Sequence, residues 1–333
     1  MSLSQIIKDI GRGQGGSRDL DAVAAQQVFG AMLDGGVPEL ELGALLIAFR
    51  MKGESLSELL GFYQALEGRL HRLAPPAGEV RTVVIPSYGG ARRRPNLMPL
   101  LVLMLKRTGV PVLVHGTLEG HGRVASALVF RELGIMPAGS LAQAQAGFDR
   151  EGLAYVPLAA LAPGLAQLLS LRSRLGVRNS AHTLAKLIDP FSGAGLRVIP
   201  ATRPYYLSKV REFLIATGDT ALLMRGTEGE AYANPGKRPR IEFCRGGELQ
   251  VLFEEEHVPE EDRAAAHDTV EAKATAAYIR GVLGGAEPVP RPIANQLACC
   301  LFASGYANDF NRAKAMAAVF NAQPAAARAD SDR

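Results

Sequence analysis

Five short runs rich in aliphatic and β-branched residues, TVVIP (82–86), VPVLVH (110–115), LAYVPL (153–158), LRVIPA (196–201) and ALLMRG (221–226), alternate with segments of helical periodicity. This alternation constrains the fold more than any other feature. Strands separated by crossover helices lie parallel, and a parallel sheet must be covered on both faces. The intervening helices are expected near 96–108, 123–133, 140–150, 160–175, 179–188 and 205–217. Beyond them RPRIEFCRGGELQVLF (238–253) reads as two further strands, followed by an acidic turn, EEEHVPEED (254–262), helices near 263–283, 291–304 and 309–321, and a frayed end, AQPAAARADSDR.

The first part of the chain has a different pattern. LDAVAAQQVFGAMLDG (20–35) and PELELGALLIAFRMKG (38–53) carry apolar residues at helical spacing, the second opening on a first-turn proline. In SLSELLGFYQALEGRLHRL (55–73), Ser55 followed by Glu58 forms a capping box ahead of an apolar run. The fold class is therefore α/β: a small N-terminal helical domain and a larger domain with a mainly parallel β-sheet flanked by helices.

A content of 47% hydrophobic and 21% charged residues excludes a disordered chain. No apolar run nears the roughly 20 residues that span a bilayer, and the first residues lack a signal-peptide core, so a cytoplasmic protein without a membrane partner is expected. Cys244, Cys299 and Cys300 make no ligand spacing and read as small buried residues. His71, His115, His121, His182, His257 and His267 show no metal-ligand spacing, so no metal site is assigned.

Charge is unevenly distributed. Residues 81–245 hold 22 Lys/Arg against 10 Asp/Glu, net +12, whereas the remainder holds 15 against 23, net −8. The basic middle is either ordinary solvated surface or a patch for polyanions. Its densest part is PSYGGARRRPN (86–96), where two glycines and three arginines lie between a strand and a helix. Three like charges in a row repel one another and are easiest to rationalise opposite an anion.

Several phrases resemble a known family. The helical stretch from Leu20, including ALLIAFRMKGES, resembles the domain shared by anthranilate phosphoribosyltransferase and the pyrimidine nucleoside phosphorylases (glycosyltransferase family 3). GVPVLVHG followed by RELG, and LRSRLGVRNSAHTLAKLIDP (171–190), resemble two of its phosphate-site regions. The resemblance implies a helical domain of residues 1–75, onto which helices from about 165–190 pack, and an α/β domain of residues 76–333. It also implies phosphate contacts from Ser87, Gly89, Gly90, Asn96, His115, Gly116 and Arg123, and it matches Arg178 with an anthranilate-facing arginine.

The departures are as informative as the matches. The family's Gly-Thr-Gly-Gly-Asp loop keeps two glycines here, but its acid is Ala91, and its Lys-His-Gly-Asn-Arg keeps only His115 and Gly116. In the family a phrase like His-Gly-x-Asp-Gly-Leu-Asp-Glu binds magnesium through its last two acids. The matching run, RGTEGEAY (225–232), puts Ala231 and Tyr232 there, with Glu228 and Glu230 nearby. Magnesium is usually held by one or two carboxylates plus substrate oxygens, so the anthranilate reaction loses its anchor unless Glu228 and Glu230 stand in.

This pattern resembles the YbiB-type anthranilate-phosphoribosyltransferase-like branch, which implies a homodimer through the helical domain that binds DNA and RNA with little sequence preference. On that reading there is no catalytic residue and no cofactor, and the contacts come from Arg92, Arg93, Arg94, Arg107, Arg123, Arg172, Arg174, Arg178, Lys186, Lys237, Arg238 and Arg240. For Lys237, Arg238 and Arg240, on an expected exposed turn, a solubilising loop is the alternative. Tyr88, Tyr205 and Tyr206 are the available stacking platforms. The competing reading is an active pentosyltransferase, a phosphoribosyltransferase or phosphorylase on another acceptor, requiring magnesium and resting on Gly89, Gly90, Asn96, Arg123 and Arg178.

Overall fold

A computed structural model describes residues 2–13, 15–260 and 269–322. The chain forms two compact units, one of residues 1–72 with 158–190 and one of 73–157 with 191–333.

The helical unit opens with α1 (Leu3–Ile10), α2 (Ala22–Leu33), α3 (Glu39–Lys52) and α4 (Leu56–Glu67). Sequence patterning does not anticipate α1, whose first turn is capped by Ser2 and which buries Ile6 and Ile10. The capping box of α4 forms as expected, with Ser55 accepting from the Glu58 N–H and Glu58 accepting from the Ser55 N–H. Glu58 does more than cap: it is fully buried, accepts from the Leu20 N–H, and pairs at 2.6 Å with Lys52, which also pairs with Asp19. Burial works against the Lys52 ammonium, but its bonds to Asp19 and Glu58 more than offset this and hold its pKa above the ordinary lysine value.

Helices α2 and α4 approach closely because Gly61 has no side chain. A Cβ there would lie 2.3 Å from the Ala22 carbonyl oxygen. Phe62 stacks on Phe29 at 4.6 Å and meets the edge of Phe49 at 5.0 Å, closing the core of the unit.

The second portion of this unit departs from expectation. In place of one helix over 160–175 there are α8 (Leu158–Leu161), α9 (Pro163–Ser170) and α10 (Arg172–Leu175). Pro163 cannot continue α8 but suits the first turn of α9. The helix expected over 179–188 shrinks to α11 (Ala181–Leu184), after which the backbone tightens into i→i+3 bonds at Lys186 and Leu187.

The α/β unit contains β1 (Val83–Ser87), α5 (Met98–Arg107), β2 (Val112–Gly116), α6 (Ser126–Glu132), α7 (Leu141–Glu151), β3 (Leu153–Pro157), β4 (Leu196–Ala201), α12 (Pro204–Thr217), β5 (Ala221–Arg225), β6 (Lys237–Arg238), β7 (Ile241–Arg245), β8 (Glu248–Phe253), β9 (Glu256–His257), α13 (Ala272–Gly284), α14 (Arg291–Ala303) and α15 (Phe310–Ala322). The sheet order is β3-β2-β1-β4-β5-β7-β8, with β1 to β5 parallel and β7 and β8 antiparallel. The five parallel strands are buried along almost their whole length, in keeping with their mainly apolar sequences; Arg197 in β4 and His115 in β2 are buried exceptions. Of the region expected to be helical over 263–283, residues 263–268 lie outside those described, as does the end of the chain expected to fray.

Two short strands go beyond the sequence expectation. Lys237 pairs with His257 and Arg238 with Glu256, so the tract that reads as an exposed basic turn is laid against the acidic segment that follows it in sequence.

The chain runs from β1 outward through β2 and β3, then returns to the other side of β1 with β4 and β5. The order therefore reverses between β1 and β4, the position at which open α/β sheets form a crevice beyond the carboxyl ends of their strands. Three loops of this unit start there: 88–97 after β1, 117–125 after β2 and 226–236 after β5.

Replacing Glu58 with Ala removes a fully buried carboxylate, takes the acceptor from the Leu20 and Ser55 N–H groups and leaves the largely buried Lys52 ammonium with Asp19 as its one remaining carboxylate. The expected loss of stability is about 3–5 kcal/mol, measured as a shift of the urea unfolding midpoint at constant slope.

Candidate functional site

The three loops are tied together by their backbones. Ala91 and Val124 exchange N–H···O bonds of 2.8 and 2.9 Å, which fixes the loop after β1 to the loop after β2. On the other side two glutamates reach in from the loop after β5. The Glu230 carboxylate, 1% exposed, accepts from the Gly89 N–H at 2.5 Å and the Gly90 N–H at 2.8 Å through Oε1. Its Oε2 lies 2.8 Å from Ser87 Oγ and 3.0 Å from Ser126 Oγ. The Glu228 carboxylate accepts from the Arg92 N–H at 2.6 Å and from the Arg93 N–H at 3.1 and 3.2 Å. Glu228 holds this position at φ +54°, a left-handed conformation that costs a non-glycine residue about 1–2 kcal/mol and that these bonds offset.

Gly89 is required by this arrangement. A Cβ there would come within 2.9 Å of the Glu228 carbonyl oxygen and the Gly229 carbonyl carbon and 3.0 Å of Glu230 Oε1. Ala231 and Tyr232, which the resemblance matches to the family's metal positions, are both buried. Ala231 lies in the core, while Tyr232 donates its hydroxyl to the Pro95 carbonyl at 2.8 Å. The donor set therefore does not fit magnesium: the two nearby carboxylates face N–H and O–H donors, and the two matched positions offer no carboxylate, the Tyr232 hydroxyl being turned to Pro95. Among the described residues no group of three or more His, Cys, Asp or Glu is placed to hold a metal ion.

The remaining residues expected at a phosphate site are in place but differently engaged. Asn96 is buried, donating to Ser126 Oγ at 2.7 Å and accepting from the Met98 N–H at the start of α5. Arg123 donates to the carbonyls of Gly89 and Glu228 at 3.4 and 3.2 Å, bridging the loops after β1 and β5. Gly116 ends β2, paired with Ser87 and Pro157. His115 is fully buried, with Nδ1 2.7 Å from the Tyr88 hydroxyl and no partner at Nε2. Burial pulls its pKa down to about 3, so at neutral pH it carries no charge to offer a phosphate. Tyr88 is enclosed with it and presents no free face for stacking, whereas Tyr205, at the start of α12, is 48% exposed.

The basic residues sort into four groups. Arg92, Arg93 and Arg94 are exposed at the carboxyl end of β1. Arg107 does not join them: α5 runs back along the sheet, so its last residue lies at the opposite, amino ends of the strands, where its guanidinium donates to the Leu283 carbonyl. Lys237, Arg238 and Arg240 are not free cations either. Lys237 pairs with Glu255, Arg238 with Glu256, and Arg240 with Glu242 and Glu254.

Arg172, Arg174, Arg178 and Lys186 belong to the helical unit. Arg174 pairs with Glu39 at 3.2 Å, and the other three lie near His182. Burial, reinforced by Arg178 and Arg172 and also by Lys186, pulls the His182 pKa down to about 3.

Two exposed cations escape the sequence reading. Arg203 precedes α12 and Arg225 ends β5, so β1, β4 and β5, adjacent in the sheet, all lead into exposed arginines. Arg92, Arg93, Arg94, Arg203 and Arg225 form no ion pair among the described residues. Only the strand order reveals that ATRP and MRG emerge beside ARRR.

Residues 4–68 match the glycosyl transferase family helical bundle domain. The fold as a whole matches the crystal structure of anthranilate phosphoribosyltransferase from Thermus thermophilus, with a TM-score of 0.76, 22% identity, and 96% of this chain and 94% of that chain covered. It also matches the Saccharomyces cerevisiae enzyme in complex with PRPP and Mg, with a TM-score of 0.71, 12% identity, and 95% and 92% covered. In sequence, an anthranilate phosphoribosyltransferase of Methylocella silvestris is 24% identical over 307 residues, 90% of this chain and 86% of that one. The protein thus has the anthranilate phosphoribosyltransferase fold. The uncharacterized protein YbiB of Escherichia coli K12 is 45% identical over 311 residues, 92% of this chain and 96% of that protein, and the chain belongs to the YbiB family of anthranilate-phosphoribosyltransferase-like proteins.

The neutral, buried His115 sets an acid limit on the fold. Its folded pKa near 3 lies below the ordinary value of 6.5, so between these values the unfolded chain takes up a proton that the folded one refuses. Stability therefore falls as pH falls through this window, by about 2 kcal/mol from this imidazole at pH 5. In H115Q that part of the loss disappears, measured by urea denaturation of both proteins at pH 7 and pH 5.

Proposed function

We propose that the protein binds DNA and RNA through their phosphate backbones, with little sequence preference, and does not catalyse the anthranilate reaction. The observation that carries this reading is the exposed triad Arg92–Arg94 on a loop whose backbone is held by Glu228, Glu230 and Tyr232. Residues in the region where the fold would hold magnesium are committed to fixing an arginine loop, and the loop's charge is left facing outward. Arg203 and Arg225 extend the same exposed charge along adjacent strand ends, with Tyr205 beside Arg203 offering a stacking surface. Backbone binding of this kind draws its affinity from counterion release and needs no base-reading element.

The partner state proposed with it is a homodimer through the helical unit. Leu40 and Met51 on α3 are 82% and 80% exposed and Ile47 is 38% exposed, an apolar stripe that a symmetry mate would cover. Leu40→Lys together with Met51→Lys is expected to yield a folded monomer, read as a halved mass by light scattering; an unchanged mass would place the contact elsewhere.

Binding of a labelled mixed-sequence oligonucleotide, followed by fluorescence anisotropy at several salt concentrations, tests the main reading. On single strands log K falls with log salt by about 0.7 per neutralised phosphate, so replacing Arg92, Arg93 and Arg94 with Ala should make the slope shallower by about 2. Salt-indifferent binding unaffected by that replacement, or magnesium-dependent turnover of phosphoribosyl pyrophosphate, would overturn it.

A further inference from the structure

Glu230 sits in a cradle built for a different occupant. Two successive backbone N–H groups, from Gly89 and Gly90, and two serine side chains, Ser87 and Ser126, converge on one point inside the unit. Ser126 Oγ accepts from Asn96 and lies 2.7 Å from Ser87 Oγ, whose one proton serves either Ser126 or Glu230, so the Ser126 proton is directed at the carboxylate. Successive N–H groups at a glycine turn, with Gly90 at φ +68°, are the backbone concavity that takes up oxoanions. The Arg123 guanidinium lies along the rim, on the carbonyls of Gly89 and Glu228. Every donor in this set would serve a phosphoryl group as well as it serves a carboxylate.

We infer that Glu230 is an intramolecular ligand that has taken over an oxoanion site, so that the native chain excludes phosphate and pyrophosphate from the cradle and admits them only when the carboxylate is withdrawn. The heavy atoms of Glu230 beyond Cβ are comparable in number to those of one phosphoryl group, so the two occupants cannot share the space. The carboxylate is held on the same chain, at high effective concentration, and free phosphate must compete with it. The contact is autoinhibitory: the binding site is intact and its occupant is covalently tethered. This holds whether or not the arginine loop binds nucleic acid, because it concerns the buried side of the loop rather than its exposed guanidinium groups.

The test uses the full chain in the R92A/R93A/R94A background, so that anions gathered by the exposed arginines do not contribute. Inorganic pyrophosphate is titrated by calorimetry into this protein and into the same protein carrying E230A or E230Q. E230A vacates the cradle and is expected to bind pyrophosphate at least about tenfold more tightly than its parent, each charge-assisted hydrogen bond being worth that much or more. E230Q keeps the shape of the plug without its charge and is expected to bind more weakly than E230A, between it and the parent. Equal binding by parent and E230A, or no gain in an E230A protein shown by circular dichroism to be folded, overturns the inference.

A second measurement needs no variant at Glu230. In the Glu230-containing parent the amide protons of Gly89 and Gly90 are expected to exchange slowly with deuterium and to be unaffected by millimolar pyrophosphate. Rapid exchange, or resonance shifts on adding pyrophosphate, would show that the carboxylate does not occupy the site in solution.

Discussion

A buried backbone N–H must find an acceptor, and the buried N–H groups of Gly89 and Gly90, together with the more exposed ones of Arg92 and Arg93, find theirs on two glutamates. The rest of the α/β unit's ligand end is arranged around this requirement. The loop after β5 must pass close enough to deliver both carboxylates, which excludes a Cβ at Gly89 and forces Glu228 into a left-handed conformation. The loop after β2 closes the opposite side through Val124, and Tyr232 fixes the far end at Pro95. An acceptor from the protein thus stands where a loop of this kind would otherwise have water or a bound anion.

The sheet is easy to read in the sequence because parallel strands covered on both faces are mostly apolar, so each appears as a short aliphatic run even where Arg197 or His115 interrupts it. The break of α8, α9 and α10 is concealed, with Pro163 alone as a local signal, and so is the pairing of β6 with β9, which contain two residues each. Ion pairs decide that second point. Lys237, Arg238 and Arg240 read as free positive charge because their partners, Glu254, Glu255 and Glu256, lie beyond two intervening strands. A net charge summed over a stretch of sequence cannot register compensation by residues outside the stretch.

The candidate site is partly legible for a similar reason. Retained glycines and arginines, and the lost acids at 231 and 232, can be read one position at a time. The roles of Glu228 and Glu230 cannot, because they depend on a loop more than a hundred residues away being within hydrogen-bonding distance. Gly89 shows how residue identity can persist while its reason changes: its missing side chain here makes room for the protein's own chain. Arg107 falls outside the site because helix direction, rather than sequence distance from the glycine loop, decides which end of the sheet a residue occupies.

The pinned backbone of the arginine loop has a thermodynamic consequence for any anion that meets it. A mobile loop would have to surrender about 1–2 kcal/mol of backbone freedom for each residue ordered on contact. Here that ordering is complete beforehand, and what is left to lose is the rotamer freedom of the guanidinium side chains, at most about 2 kcal/mol for each. A rigid base carrying long, independently swivelling arms can adjust to phosphates at varied spacing without refolding, and it offers no fixed array of donors by which one base sequence could be favoured over another.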